Sequence, residues 1–510
     1  MKAVILPIAV ALLAGAALPS AARAQPPAQL EESRAAVAAT DFDRLFRDRA
    51  YAAQILVHVD RLAAAAGDDL DRALWLDNLR ALILAVLERN EDAGIMIDRI
   101  LEARPTNPRF YAGAWYASQR MADHRRSAAV IEQASRNVAG RGWAGLRELF
   151  GRETVWRVMQ GLEEADDQDT KARMAEALLR IGWPAPDEGE AADGLRARLV
   201  TYRVARGDRA GAIEAASGLT APLPILQLVV QRKYDGVFAG GPDPLARFNA
   251  ALERRDLRTA EALAATPSNV RRLLDRAQFL RTVGRDAEAL ALLEPSTRDL
   301  RATVAADDLG MWLINEAVYA LLSLGRRQDA AALMGRLVGL PIAEHPELIS
   351  ASINYAEVLW EVGRFEDSLA HARLLERDAA SNASEYGKMW IRSAIVCALA
   401  SLDRAAEAAP TLTLMRANSE RNQAALMRAY LCLNDMAAAE ALMIARLESD
   451  DPVDAVLALQ DYQLAGPAAG ADPLEERLRA LAARPAVRAA LERIGRVLPL
   501  PIARTYYGDI

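Results

Sequence analysis

The sequence predicts an all-α fold, built from short helices that follow one another along the chain. Of the 510 residues, 52% are hydrophobic and 26% are charged, so the chain has ample apolar surface to bury, which argues against long disordered regions. Apolar residues recur with a helical period between short polar breaks, as in residues 74–87, 309–324 and 348–362. No convincing run of β-branched and aromatic residues alternates with a period of two.

The N-terminus has the three parts of a secretory signal peptide. Lys2 supplies the charge, residues 3–18 are apolar, and small residues lead up to Ala24. We expect cleavage after Ala24, so that residues 1–24 are removed and residues 25–40 remain as a flexible N-terminal segment. The apolar run is short for a membrane span of about 20 residues. The mature chain is therefore predicted to be periplasmic, with no membrane span.

The polar breaks in the second half of the chain repeat one motif. A Gly, Asp or Asn ends one helix in a left-handed conformation, an acidic residue begins the next helix, and a small residue lets the two helices approach closely. The turn residues are Gly284, Gly325, Gly363, Asp403 and Asn434. The small residues are Ala289, Ala330, Ser368, Ala408 and Ala439, with earlier copies expected at Ala93, Ala128, Ala212 and Ala260.

The small residues of the second half recur every 31 to 41 residues, a period typical of helix-hairpin solenoids. Here the chain resembles the tetratricopeptide repeat family, whose units carry the same Gly-polar-x-x-acidic-Ala turn. The spacing from Ala93 to Pro105 also matches the proline that ends a repeat of that family. The resemblance spans roughly residues 74–445 and implies a right-handed superhelix of helix hairpins.

Composition suggests where this array is divided. Residues 163–169 are acidic, residues 184–194 are rich in Pro, Gly and acidic side chains, and residues 240–244 form a turn cluster. The second of these is the best candidate for a boundary. The predicted divisions are N-terminal helical repeats over 41–183, a loop or boundary over 184–194, a tetratricopeptide-like array over 195–465, a capping helix over 472–498 and an extended tail over 499–510.

The sequence offers little for catalysis or metal binding. The histidines His58, His124, His345 and His371 are far apart and show no metal-ligand spacing. Asp367 lies four residues before His371, which favours an ordinary pair on a helix surface. The acidic run 163–169 lacks the glycine of a calcium loop and favours a solvated loop. No phosphate loop, nucleophile elbow or dinucleotide-binding glycine pattern occurs, so we expect no enzyme, no cofactor and no metal site.

One enzyme class is worth weighing, because an exported, Ala-rich helical superhelix also resembles the non-catalytic part of soluble lytic transglycosylases. The catalytic domain of that family carries a Glu-Ser pair whose Glu is the general acid. Here such pairs occur only at Glu32-Ser33 and Glu448-Ser449, and too few residues follow Glu448 for a lysozyme-like domain. A scaffold without that chemistry is better interpreted as a binding protein.

The tetratricopeptide resemblance implies that the first helices of successive units line a groove for a partner. Counting back from the turn residues names candidate side chains, many of them aromatic or Arg, the types that dominate protein interfaces. A Trp at such a position can equally belong to the core between helices. The candidates are Gln278, Arg281, Trp312, Asn315, Tyr319, Glu357, Trp360, Trp390, Arg421 and Arg428.

Two functional hypotheses follow. The first is a periplasmic scaffold that binds a protein or peptide partner of a cell-envelope assembly, and we expect it to be a monomer. The second is an accessory or degenerate relative of the helical part of lytic transglycosylases, binding peptidoglycan or another glycan. The formal net charge of -7 argues against a nucleic-acid partner in either case.

The two cysteines, Cys397 and Cys432, lie one repeat apart, on what we predict to be neighbouring first helices. An oxidising compartment favours a disulfide. Counted from their turn residues, however, the two positions differ by four residues, about one helical turn. Two buried thiols are therefore the favoured interpretation, with a disulfide as the alternative.

Overall fold

The computed structural model describes residues 28–67, 69–184, 189–238, 243–341, 344–378, 383–464 and 473–504. The described residues are overwhelmingly helical, and neighbouring helices along the chain pack as pairs. The prediction of an all-α solenoid is confirmed. The chain divides into two compact units, residues 1–218 and 219–510.

The first unit consists of twelve described helices and two short 3-10 turns, at Pro108–Tyr111 and Gly140–Gly142. Its helices are α1 (Ala28–Ala38), α2 (Phe42–Arg47), α3 (Arg49–Ala64), α4 (Leu70–Val86), α5 (Asn90–Glu102), α6 (Ala112–Arg120), α7 (His124–Asn137), α8 (Trp143–Leu149), α9 (Arg152–Glu164), α10 (Gln168–Arg180), α11 (Gly189–Ala205) and α12 (Arg209–Ser217). Its core includes Trp115 and Phe150, whose rings meet edge to face with centroids 5.0 Å apart.

The second unit continues the helix pairs and ends in a small sheet. Its helices are α13 (Pro222–Val229), α14 (Pro244–Ala265), α15 (Val270–Thr282), α16 (Asp286–Arg298), α17 (Leu300–Ala306), α18 (Gly310–Ser323), α19 (Arg327–Val338), α20 (Leu348–Glu361), α21 (Phe365–Asp378), α22 (Glu385–Ser401), α23 (Ala409–Ala417), α24 (Gln423–Cys432), α25 (Met436–Leu447), α26 (Val453–Ala458), α27 (Pro473–Ala482) and α28 (Pro485–Ile494). Its 3-10 turns are Arg232–Tyr234, Ala405–Ala408 and Ser419–Arg421.

The turn motif forms as its residues predict. Gly284, Gly325 and Gly363 have φ angles of 73°, 73° and 80°, and Asp403 and Asn434 have 58° and 54°. Each of these residues therefore takes the left-handed conformation that ends the first helix of a pair. The predicted small residues of the second half, Ala289 to Ala439, are all buried, so the close approach of the two helices is also confirmed.

Two predictions based on the turn pattern are wrong. Ala260 is exposed and lies within α14, which runs unbroken from Pro244 to Ala265 because it contains no Gly or internal Pro. The acidic run 163–169 does not interrupt the repeats. It forms the turn between α9 and α10, where Asp166 has a φ of 52° and the side chain of Asp167 accepts a hydrogen bond from the Thr170 amide.

The predicted flexible segment 25–40 is also wrong for its described part. Residues Ala28–Ala38 form helix α1, which packs against α3. Ser33 and Val37 are buried in this contact, and the Ser33 hydroxyl lies 3.2 Å from Nδ1 of His58. Burial on a neighbouring helix thus orders a segment whose own sequence shows little amphipathic pattern. The predicted signal peptide lies outside the described residues.

The predicted boundary at 184–194 differs from the observed one. Helix α11 packs against α10 and α12, so the chain remains in the first unit until Gly218. Residues 185–188 lie outside the described residues.

The C-terminal prediction needs a larger correction. In place of one helix over 472–498 there are two, α27 and α28, because Pro485 takes the first position of a new helix. The predicted tail begins with strand β2 (Pro499–Ala503), which pairs in parallel with β1 (Asp461–Leu464). Tyr462 is the partner of Leu500 in this sheet. Residues 505–510 lie outside the described residues.

A glycine in the first unit tests the packing of its helices. A Cβ on Gly113 of α6 would lie 2.7 Å from Cβ of Asn78 on α4. We expect Gly113→Ala to lower the free energy of unfolding by about 1–3 kcal/mol, although Ala normally favours a helix. Gly194→Ala in α11 is the control, since a Cβ there meets no atom within 4 Å. Urea unfolding should show unchanged or raised stability for this variant, and equal losses for both would contradict the packing described.

Candidate functional site

The first helices of the second unit form a continuous row. Helices α15, α18, α20, α22, α24 and α27 each pack against the next, whereas the second helices α16, α19 and α21 pack mainly against first helices. Side chains at one position, six residues before the turn residue, recur along this row. They are Gln278, Tyr319, Glu357, Cys397 and Arg428. We call the surface carried by these first helices the inner row.

A buried ion pair joins the first two helices of the inner row. Arg281 on α15 is 6% exposed, and its Nη1 lies 2.6 Å from Oε2 of Glu316 on α18, which is 2% exposed. Gln278 Nε2 donates to the other Glu316 oxygen at 3.2 Å. The Arg281 guanidinium also lies 5.1 Å from the centre of the Tyr319 ring. Four residues, three of them predicted candidates, thus form one cluster.

Asp286 completes this cluster from the start of α16. Its Oδ1 faces Nε of Arg281 at 3.5 Å. Burial raises the pKa of Asp286, and the nearby positive charge of Arg281 opposes that shift. The cluster therefore holds two carboxyl groups around one guanidinium, away from water.

A second cluster is centred on Trp360. Its indole Nε1 donates to Oγ of Ser401 at 2.9 Å and lies 3.3 Å from the Cys397 carbonyl oxygen. The Arg428 guanidinium lies 5.5 Å from the centre of the Trp360 ring, a cation–π contact. Nη1 of Arg428 is 3.8 Å from Oε2 of Glu357. This cluster therefore links α20, α22 and α24.

The remaining candidates lie between or beside these clusters. Asn315 is buried and accepts a hydrogen bond from Asn354 Nδ2 at 3.0 Å, which ties α18 to α20. Trp312 is half-buried. Trp390 is half-buried too, and its ring meets edge to face that of Tyr386, which is 56% exposed. Arg421 is exposed and pairs with its neighbour Glu420.

The favoured prediction of two free thiols is wrong. Cys397 and Cys432 are joined by a disulfide, with Cα atoms 5.0 Å apart. The reason is a difference in helix length: α22 continues four residues beyond Cys397 to Ser401, whereas α24 ends at Cys432. The offset counted from the turns is therefore the extra turn of α22. At the other end of these helices, Asn422 Nδ2 reaches the Tyr386 carbonyl oxygen at 3.4 Å.

The environment predicted for His371 is wrong. His371 does not pair with Asp367 on a helix surface. Its Nε2 lies 3.0 Å from the Ser352 carbonyl oxygen, and burial lowers its pKa. Asp367 instead pairs with Arg364. Among the described residues, no three His, Cys, Asp or Glu side chains are grouped as metal ligands.

Sequence reasoning missed Glu316, Asn354, Asp286 and Ser401. A signal for two of them is present, since Glu316 and Asn354 lie nine residues before Gly325 and Gly363, one turn from the recurring position. Asp286 is the acidic residue that follows the turn at Gly284, and the turn motif predicts for it only a favourable interaction with the helix dipole. Ser401 carries no pattern, because its role depends on Trp360 of another helix pair.

Comparisons with known proteins add little to this geometry. No protein-family model matches the chain, and no curated protein matches it. Among solved structures, the chain is similar to a "Circular tandem repeat protein with novel repeat topology and enhanced subunit contact surfaces", with 15% identity, 91% of this chain and 96% of that chain covered, and a TM-score of 0.14. A TM-score this low carries no argument.

No described helix is both long and apolar enough to cross a membrane. The helix pairs, their left-handed turns and the row of first helices are the features on which an assignment can rest. On these features, the chain is an all-α helical-repeat protein.

Proposed function

We propose that this chain is an exported, tetratricopeptide-like scaffold that binds a protein or peptide segment of a cell-envelope assembly along its inner row. The observation that carries the proposal is the recurrence of half-buried aromatic and Arg side chains on three of the first helices, α18, α22 and α24. Trp312, Tyr319, Trp390 and Arg428 are each partly accessible, and each is attached to a packed helix. Such side chains bury a large area on binding at little cost in side-chain entropy.

The polar groups of the inner row support a binding role over a catalytic one. Arg281 and Glu316 neutralise each other, and Arg428 lies between Glu357 and the Trp360 ring. These charges orient neighbouring side chains, and none of them is arranged as a nucleophile with a base. We propose that the protein acts as a monomer, without turnover, cofactor or metal.

Export is supported by two features. Residues 1–24 have the pattern of a signal peptide. Cys397 and Cys432 form a disulfide, and disulfides persist mainly in oxidising compartments such as the periplasm.

The proposal is tested by affinity capture from envelope extracts with the mature chain, residues 25–510. We expect a defined protein partner whose affinity falls about 30-fold or more in Trp312→Ala and Tyr319→Ala, as at interface hot spots. Leu374→Ala is the control, because Leu374 is exposed on the second helix α21. Sedimentation with purified peptidoglycan is the parallel arm. Depletion of the protein there, with no protein partner captured, would favour the glycan-binding alternative.

A further inference from the structure

The second unit does not end freely, because its last elements contact its first. The Arg496 amide donates to the Val230 carbonyl oxygen at 2.9 Å, and Gly495 pairs with Gln231 in an antiparallel bridge. Nε of Arg232 donates to the Glu492 carbonyl oxygen at 2.8 Å. Arg496 also forms an ion pair with Asp235. About 260 residues separate these partners, so the row of helix pairs closes on itself.

We call the contact between residues 230–235 and residues 492–496 the seam. It differs in kind from the contacts between helix pairs. Successive pairs in the unit share buried apolar side chains, such as those from Leu274 to Val358. The seam, in contrast, includes main-chain hydrogen bonds and charged side chains, and Asp235 is half exposed. Local openings occur where contacts are solvent-exposed, and apolar stacking resists them. Val230 and Gln231 are buried in the seam, but its exposed ion pair and main-chain hydrogen bonds make it the place at which we expect the unit to open most readily.

Two glycines lie where the two sides of the seam approach closely. A Cβ on Gly495 would lie 2.9 Å from the Val230 carbonyl oxygen, closer than such atoms approach. A Cβ on Gly284 would lie 3.0 Å from Cδ1 of Leu464 in β1. Gly325 and Gly363 have the same left-handed conformation as Gly284, yet a Cβ there meets no atom within 4 Å. The close approach at Gly284 is thus a property of the closure, since the turn alone does not produce it.

The closing segment, residues 485–504, is anchored on its own side of the seam. Gln460 Nε2 donates to the Arg496 carbonyl oxygen at 3.0 Å, and the Leu498 amide donates to Gln460 Oε1 at 2.9 Å. Nη1 of Arg504 donates to the Ala458 carbonyl oxygen at 2.6 Å. The segment therefore has firm contacts to α26 and β1. To open the seam it parts from residues 230–235, and the small sheet parts from α15 and the Gly284 turn, while the segment stays attached to the last helix pairs.

We propose that the closing segment is a latch: it holds the second unit closed at residues 230–235, and its opening admits a polypeptide to the inner row. The partner class follows from the function proposed above, on which this inference rests. In this proposal the first helices line the inside of the closed row, because each packs on the next and the last elements of the unit contact its first. A bulky or folded partner then needs the latch open, whereas a small molecule does not.

Amide hydrogen exchange of the full mature chain tests whether the latch opens as a unit. In Gly495→Ala, we expect the amides of residues 230–235 and 495–503 to exchange together, about tenfold faster or more than in the wild type, while α20 and α22 keep their protection. Gly284→Ala should have a smaller effect at the seam, because its Cβ meets only the flexible end of Leu464. Gly325→Ala is the matched control, with the same turn strain and no seam contact. Unchanged exchange at the seam, or an equal loss throughout the unit, would overturn the proposal.

A second measurement tests access and needs no partner. The native cysteines are joined, so Gln278→Cys places the only free thiol on the inner row. We expect a maleimide on a long poly(ethylene glycol) chain to react about tenfold more slowly or worse than a small maleimide, and Gly495→Ala to remove most of that difference. Arg298→Cys, exposed on α16, should react equally with both reagents. Equal rates at residue 278 in the closed protein would contradict the latch.

A locked variant covers the case in which Gly495→Ala fails to fold. Asp235→Cys with Arg496→Cys replaces the ion pair by two thiols, which a short bismaleimide can bridge. The bridge should slow amide hydrogen exchange at residues 230–235 and 495–503 relative to the unbridged variant. Unchanged exchange rates would contradict the latch. Neither readout uses a partner, so failure of the latch and failure of the proposed function are distinguishable.

Discussion

Replacing Glu316 by Ala is expected to lower the free energy of unfolding by about 3–5 kcal/mol, because it removes one partner of a buried ion pair. Arg281 would then face Asp286 at 3.5 Å without its 2.6 Å contact to Glu316. A guanidinium left in this setting keeps its desolvation cost and loses most of its compensation. Urea unfolding followed by circular dichroism measures the change.

The control is an exposed ion pair on the neighbouring helix. Glu294 and Arg298 lie one turn apart on α16, and both side chains are largely exposed. Glu294→Ala should change stability by less than about 0.5 kcal/mol. The triple variant Arg281→Met, Glu316→Leu and Asp286→Asn should recover much of the loss, since apolar side chains can replace a buried ion pair and the third change removes the carboxyl that Arg281 would leave unpaired. A loss below about 1 kcal/mol in Glu316→Ala would show that the pair is solvated.

Loss of the disulfide is expected to have the second large effect. Cys397 and Cys432 are 35 residues apart, and a cross-link of that span stabilises by about 3–4 kcal/mol through the restricted unfolded chain. The double variant Cys397→Ala with Cys432→Ala should lose that amount in urea unfolding. Reduction of the wild type should produce a loss of similar size.

Thiol titration tests directly whether Cys397 and Cys432 are joined. The denatured, unreduced protein should show no free thiols, and two should appear after reduction. Two free thiols before reduction would contradict the pairing. A loss of stability in the Ala variant alone, with no effect of reduction on the wild type, would assign the effect to packing of the buried side chains.

The turns could be predicted from the sequence, whereas the contacts between distant helices could not, and the difference has a physical reason. A left-handed turn at Gly284 and a buried Ala289 follow from local requirements on backbone and volume. The Arg281–Glu316 pair depends on which faces of two helices meet, and single-chain periodicity does not determine this. The seam joins residues 230–235 to residues 492–496, which are too far apart along the chain for any local sequence pattern to predict their contact.

Other differences between prediction and structure arise where the local sequence signal is weak. Pro485 divides the single helix predicted over 472–498, because proline is favoured at the first position of a helix. Strand β1 has four residues, too few to show an alternating pattern. Helix α1 forms through burial of Ser33 and Val37 on α3, which its own composition does not predict.

Site-specific photo-crosslinking in cells that express the full chain tests the central claim most directly. A photoreactive phenylalanine would replace Tyr319 on the inner row, and in a parallel strain Leu374 on the second helix α21. The account predicts a discrete adduct with one envelope protein from position 319 and none from position 374. No adduct from position 319, or the same adduct from both positions, would contradict partner binding by the inner row.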